Sequence, residues 1–113
     1  MKKFRHAFNG MYYAVLHESS MRTHGLMMGV AIIAGFYFEI TPAQWVLQLV
    51  LFALVIGFEM INTAIERLTD ALYPEWNERA RVIKDVAAGS VLLSAIIAFL
   101  SGIIIYLPKI LSL

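Results

Sequence analysis

The sequence predicts an all-α membrane protein, with an N-terminal amphipathic surface helix followed by three transmembrane helices. Two observations carry that expectation. Of the 113 residues 60% are hydrophobic and the mean hydropathy is +0.73, whereas soluble proteins average roughly 45–50% apolar residues. The apolar residues also gather into long runs, separated by short polar segments, on the scale of the ~20 residues that cross a bilayer. A chain of 113 residues is one unit, so 1–113 is read as a single membrane domain. A net charge of +1 favours neither nucleic acid nor an acidic partner. With no cysteine there is no disulfide and no thiolate metal site.

Residues 1–17 read as the surface helix. Phe4, Phe8, Met11, Tyr12 and Val15 recur at helical spacing on one face, with Lys2, Lys3, Arg5, His6 and Asn9 mostly elsewhere. A basic face with aromatic anchors suits a helix lying among lipid headgroups; packing against protein is the other reading. No apolar core and small-residue cleavage site follow the basic cluster, so no cleaved signal is expected.

The first span is expected at 21–38. Its uncharged part, 25–38, is shorter than ~20 residues, so Met21, Thr23 and His24 must help. Thr41-Pro42 ends it, because proline cannot continue the backbone ladder and biases the residue before it away from helix. The second span is expected at 43–71, apolar through Phe58 and then extending into water. The third is expected at 84–107, uncharged from 86 onward, with Pro108 beyond it. Gly25, Gly29, Gly57, Gly89 and Gly102 permit close helix contact, and Gly25 and Gly29 fit a small-xxx-small pattern. Basic residues fix the orientation. Lys2, Lys3 and Arg5 precede the first span, and Arg67, Arg79, Arg81 and Lys84 lie between the second and third. The first loop holds Glu39 and no Lys or Arg. The N-terminus and second loop are therefore expected in the cytoplasm, although Lys109 at the far end runs against the bias.

The chemistry concentrates at Glu59, Asn62, Glu66 and Asp70, whose spacings of three, four and four place them on one helical stripe. Glu59 directly follows the apolar run, at or just inside the cytoplasmic boundary. A carboxylate at mid-membrane costs on the order of 2.5–3.5 kcal/mol, so one placed at this depth points to function. Interfacial carboxylates on a helix emerging into water are the plainer alternative, most natural for Asp70. Glu18 precedes the first span at the same level, and Lys84 and Asp85 precede the third. Several carboxylates with a lysine suit a divalent cation and a polyphosphate. Spacing alone does not separate a kinase from an ion or proton pathway. Neither a Walker loop, nor a dinucleotide fingerprint, nor the protein-kinase signature set is present. His17 and His24 share a face but lack further ligands, so interfacial hydrogen bonding is their expected role.

These residues also carry a family resemblance. The segments Phe58-Glu59-Met60-Ile61-Asn62-Thr63-Ala64-Ile65-Glu66-Arg67-Leu68-Thr69-Asp70 and Ala80-Arg81-Val82-Ile83-Lys84-Asp85-Val86-Ala87-Ala88-Gly89-Ser90-Val91-Leu92 closely resemble the signatures of the prokaryotic integral-membrane diacylglycerol kinase family. Phe4, Ala7 and Gly10, then Glu18, Arg22 and His24, fit its upstream pattern. The resemblance implies a homotrimer in the bacterial cytoplasmic membrane that transfers the γ-phosphate of Mg²⁺-ATP to a lipid hydroxyl on the cytoplasmic side. Glu59 matches the family's general base, and Glu18 and Glu66 its Mg²⁺-ATP carboxylates. Lys84 and Asp85 match nucleotide contacts. Glu75, Trp76 and Asn77 fall where a variable loop touches nucleotide. Asn62 is expected to orient the base or the phosphate, and Asp70 to support the site. Ser20 stands where many Gram-positive relatives carry Asn, which is expected to weaken a contact there. The Lys-Asp-x-Ala-Ala-Gly form resembles the undecaprenol kinase branch, so undecaprenol is the expected acceptor, with diacylglycerol as the alternative. A scaffold or ion-conducting oligomer is the non-enzymatic alternative.

Overall fold

The computed structural model describes all 113 residues. It contains four helices and no strand: α1 (Lys2–His17), α2 (Ser19–Tyr37), α3 (Pro42–Leu72) and α4 (Glu78–Leu111). Glu18 alone separates α1 from α2, in an extended conformation with φ −115° and ψ 113°. Helix α1 turns aside there and touches the start of α2 and the end of α3.

Each later junction has a local cause. Helix α2 closes in a Schellman motif: the Ile40 N–H donates to the Gly35 carbonyl at 3.1 Å and the Glu39 N–H to Phe36 at 3.3 Å. That closure requires a left-handed residue after the cap, and Glu39 supplies it with φ 51°. Thr41 then caps α3. Its hydroxyl accepts from Gln44 N at 3.2 Å while the Gln44 side chain accepts from Thr41 N at 3.0 Å, and Pro42 sits in the first turn, where its missing N–H costs nothing. At the far end of α3, Tyr73 precedes Pro74 and leaves the helix with φ −131° and ψ 77°.

Helix α4 differs from expectation at both ends. It begins at Glu78, earlier than the charges around Arg79 and Arg81 suggest, because Asn77 caps it and Glu78, Arg81 and Asp85 pair along its first turns. It also runs through Pro108 to Leu111. Proline there forfeits one backbone bond only, and Lys109 in the last turn favours the negative helix end.

Helices α3 and α4 pack as a tight antiparallel hairpin. Their buried residues follow seven-residue logic: Gln48, Leu51, Val55, Glu59 and Asn62 on α3, and Ala80, Ala87 and Ser94 on α4. Lipid offers no hydrophobic drive to bring helices together, so close van der Waals contact over small residues has to do it. The small α4 stripe provides that contact. Within one chain the five glycines make no close contact, since a Cβ at Gly25, Gly29, Gly57, Gly89 or Gly102 would meet nothing within 4 Å. The close approach is at Gly35, where a Cβ would come 2.8 Å from the Trp45 ring.

Helices α3 and α4 are each long and apolar enough to cross a membrane. Helix α2 is not on composition, because Arg22 and His24 dilute its first turns. Outward side chains such as Leu26, Ile33 and Ile104 are more than two-thirds exposed, as expected where lipid is the solvent. The aromatic face of α1 is likewise uncovered: Phe4, Phe8 and Tyr12 are exposed, and only Ala14 is buried.

Candidate active site

The buried stripe of α3 changes character at Glu59. Up to Val55 it is apolar apart from Gln48; from Glu59 onward it is polar. Glu59 is only 8% exposed, so its carboxylate needs partners within the protein. Helix α2 provides them. Ser20 Oγ donates to Glu59 Oε1 at 2.6 Å, and His24 Nε2 lies 3.7 Å from Glu59 Oε2. Ser20 and His24 are four residues apart, hence on one face of α2. Ser20, where the sequence suggested a weakened contact, makes the hydrogen bond to the central carboxylate. Neither Ser20 nor His24 stood among the expected site residues. Their four-residue spacing at the level of Glu18 is the signal that could have found them.

About one turn further along α3, Asn62 Nδ2 donates to Glu66 Oε1 at 2.9 Å. The Asn62 Oδ1 is buried and has no hydrogen-bond partner. Such an oxygen is costly unless a ligand or water meets it. Lys84 reaches across from α4, donating to Asp70 Oδ1 at 2.8 Å and lying within coulombic reach of Glu66. This brings Glu66, Asp70 and Lys84 to one place.

The remaining expected residues are distributed differently. Glu18 is paired with Arg67 at 3.3 Å, and the Arg67 guanidinium lies 5.1 Å from the centre of the Tyr13 ring, tying α1 to α3. Asp85 accepts from Arg81 at 2.8 Å. The Glu78 bond, reinforced by Asp85, holds the Arg81 guanidinium above its ordinary pKa, so it stays cationic. Asn77 is committed to capping, its Oδ1 accepting from Arg79 N at 2.9 Å and Ala80 N at 3.2 Å. Glu75 lines an open cavity of about 270 Å³ with Asp70, Asn77, Lys84 and Asp85. That cavity sits at the α3–α4 loop, beyond the Asp70 end of the stripe.

Glu18 and Glu66 belong to no group of three or more acidic or histidine side chains close enough to cage a metal ion. The donors nonetheless fit Mg²⁺. That ion takes hard oxygens and usually relies on one or two carboxylates plus substrate phosphates. Glu66, with the unpartnered Asn62 oxygen beside it, offers such a set.

A helical hairpin with a buried carboxylate midway along α3, a lysine–carboxylate cluster further along it and a polar cavity at the loop groups residues that suit phosphate chemistry. Residues 5–106 match the family described as prokaryotic diacylglycerol kinase. Over 108 residues the chain is 32% identical to the undecaprenol kinase of Bacillus subtilis, covering 96% of this chain and 88% of that protein. It is 38% identical over 112 residues to a diacylglycerol kinase of Synechocystis, covering 97% of this chain and 63% of that one. With the diacylglycerol kinase of Escherichia coli it shares 25% over 105 residues, 93% and 86% of the two chains. The chain belongs to the prokaryotic diacylglycerol kinase family and is a lipid kinase.

Proposed function

We propose that this protein transfers the γ-phosphate of ATP to the hydroxyl of undecaprenol. The observation that carries the reading is Glu59: a buried carboxylate at the end of an apolar stripe, with one oxygen held by Ser20. A base there meets a lipid hydroxyl from the membrane side, while nucleotide arrives from water. The hydroxyl oxygen attacks the γ-phosphorus, the bond to the β-phosphate oxygen breaks, and ADP leaves. Glu59 accepts the hydroxyl proton. Phosphoryl transfer asks the protein mainly for positioning and charge neutralisation. Glu66 and Glu18 would hold Mg²⁺, which supplies positive charge to the phosphates. Lys84 and Asp85, with Glu75 and Asn77 at the rim of the loop cavity, are assigned to the nucleotide, and Asn62 and Asp70 support them.

The choice of undecaprenol rests on the relative that matches along most of both chains and on the Lys84-Asp85-Val86-Ala87-Ala88-Gly89 sequence. Diacylglycerol is the second reading, supported by the Synechocystis relative. In this account α2, α3 and α4 all span the bacterial cytoplasmic membrane, α1 lies on its inner surface with Phe4, Phe8 and Tyr12 in the headgroups, and the α3–α4 loop is cytoplasmic. Three chains assemble, so that a neighbour completes the enclosure that one chain leaves open. Phosphate transfer from labelled ATP to undecaprenol and diacylglycerol, presented together in one vesicle, tests the acceptor. Preference for diacylglycerol would replace undecaprenol, and transfer to neither would end the reading.

A further inference from the structure

Transfer of a phosphoryl group from ATP to an alcohol releases one proton per turnover. In the proposed chemistry that proton comes to rest on Glu59, whose side chain is 10% exposed. A buried base can act again only after the proton has left it. Of its two oxygens, Oε1 accepts from the Ser20 hydroxyl at 2.6 Å, and a hydroxyl already donating there takes no proton away. Oε2 faces His24 Nε2 at 3.7 Å, and no other basic side chain pairs with Glu59. The His24 side chain is 21% exposed, about twice as open as that of Glu59. It lies about 7.5 Å along α2 from Ser19, at the polar start of the helix.

The surroundings of His24 hold no competitor for the proton. The α3 and α4 residues that line its cavity of about 280 Å³ are Phe52, Val55, Ala95, Ala98 and Phe99, all uncharged. Glu59 is the titratable group that faces it from α3. On α1, His17 is turned to Tyr13, stacked at 4.0 Å and bonded to its carbonyl. On α2 itself, Arg22 donates to the Leu16 carbonyl at 3.0 Å. We infer that His24 is the proton exit of the site. Glu59 takes the hydroxyl proton on Oε2 as the new O–P bond forms. The carboxyl O–H then breaks toward His24 Nε2, whose lone pair accepts the proton, and the imidazolium releases a proton to water. Glu59 is left a carboxylate and His24 neutral, so atoms and charge balance with water alone. An imidazole holds a proton more firmly than a carboxylate does, so the step runs downhill. Transfer needs about 2.6–3.2 Å between heavy atoms, or one bridging water, and such contacts are often long before substrate binds. The inference rests on the kinase reading of Glu59. A contact that merely positions Glu59 is the rival, and the two differ in timing. A relay acts only after the first phosphoryl transfer, whereas a positioner acts on every transfer, the first included.

The test is rapid mixing of labelled Mg²⁺-ATP with the full chain in vesicles that hold undecaprenol or diacylglycerol. The first turnover finds Glu59 free of a proton, so His24→Ala should form one lipid phosphate per site at close to the parental rate. The steady rate that follows should fall about 10-fold to 10²-fold, short of the ~10²–10⁴-fold that a positioned base contributes, while KM for ATP holds. Added imidazole should raise the steady rate and leave the first turnover as it is. Pyrazole, the same ring but a far weaker base, should not raise it. His24→Gln fills the space of the imidazole and should show the same burst with no rescue, which keeps the test intact where His24→Ala does not fold. A parental steady rate in either variant, a slowed first turnover, or equal rescue by pyrazole overturns the relay and leaves the kinase reading standing. No lipid phosphate from the parent, or parental turnover in Glu59→Gln, defeats that reading and the relay with it.

Discussion

Replacing Ser20 with Ala isolates one hydrogen bond at the centre of the site. The Ser20 hydroxyl donates to Glu59 Oε1 at 2.6 Å, and the Glu59 side chain is 10% exposed, so water cannot readily replace it. A bond to a charged group contributes about 1.5–3 kcal/mol, and stability should fall by that order. The catalytic consequence comes from geometry. The terminal torsion of a glutamate is broad and roughly two-fold; without Ser20 neither carboxylate oxygen is held toward the incoming hydroxyl. A misplacement of about 1 Å costs up to ~10²-fold, and complete loss of a general base costs ~10²–10⁴-fold. Turnover should therefore fall between about 10-fold and 10²-fold, short of the loss on removing the base. KM for Mg²⁺-ATP should not move, because Glu66 lies about 10 Å further along α3. Ser20→Thr keeps the hydroxyl and should restore most of the rate. The assay is initial-rate lipid phosphorylation below the melting transition, with ATP and lipid varied separately. Parental turnover in Ser20→Ala would refute the positioning argument, as would a change confined to KM for ATP.

Three further outcomes are expected. Glu66→Gln should raise KM for Mg²⁺-ATP and be partly rescued by excess Mg²⁺, measured as rate across a Mg²⁺ series; no rescue would remove Glu66 from the metal. Glu39→Gly should raise thermal stability by about 1 kcal/mol, because a non-glycine residue in the left-handed conformation costs roughly 1–2 kcal/mol and glycine gives back some of that in chain entropy; a melt that shows destabilisation would contradict the Schellman closure. Tyr106→Phe should destabilise by about 0.6–1.7 kcal/mol, from the average to the maximum measured for polar contacts between membrane helices; an unchanged denaturation midpoint would mean the Gln48–Tyr106 contact is not made.

What was legible in the sequence follows from the range of each interaction. Apolar length announced α3 and α4, and Thr41-Pro42 announced the turn. The single-face stripe of Glu59, Asn62 and Glu66 was readable because helical period alone puts those residues together. The partners of Glu59 were harder to read: Ser20 and His24 share a face at the level of Glu18, but nothing in that spacing ties them to a residue 39 positions from Ser20. The Tyr106–Gln48 contact was hidden for the same reason, being 58 positions apart, although a lone amide inside an apolar run was itself a signal. Asn77 has a second role that the sequence reading passed over: its oxygen caps the first turn of α4, and an Asn ahead of Glu-Arg-Ala reads as a helix cap. Within one chain the close packing of this hairpin uses alanine and serine rather than the glycines.

The central claim is that the Glu59 carboxylate takes the proton from a lipid hydroxyl. Glu59→Gln keeps the size of the side chain and an oxygen for Ser20 to bond, so the protein should fold as the parent does. Transfer of labelled γ-phosphate from ATP to undecaprenol in vesicles is the direct measurement. The account predicts that turnover falls ~10²–10⁴-fold, that added Mg²⁺ does not restore it, and that nucleotide binding stays at the parental level. Parental turnover in a folded Glu59→Gln protein would contradict it.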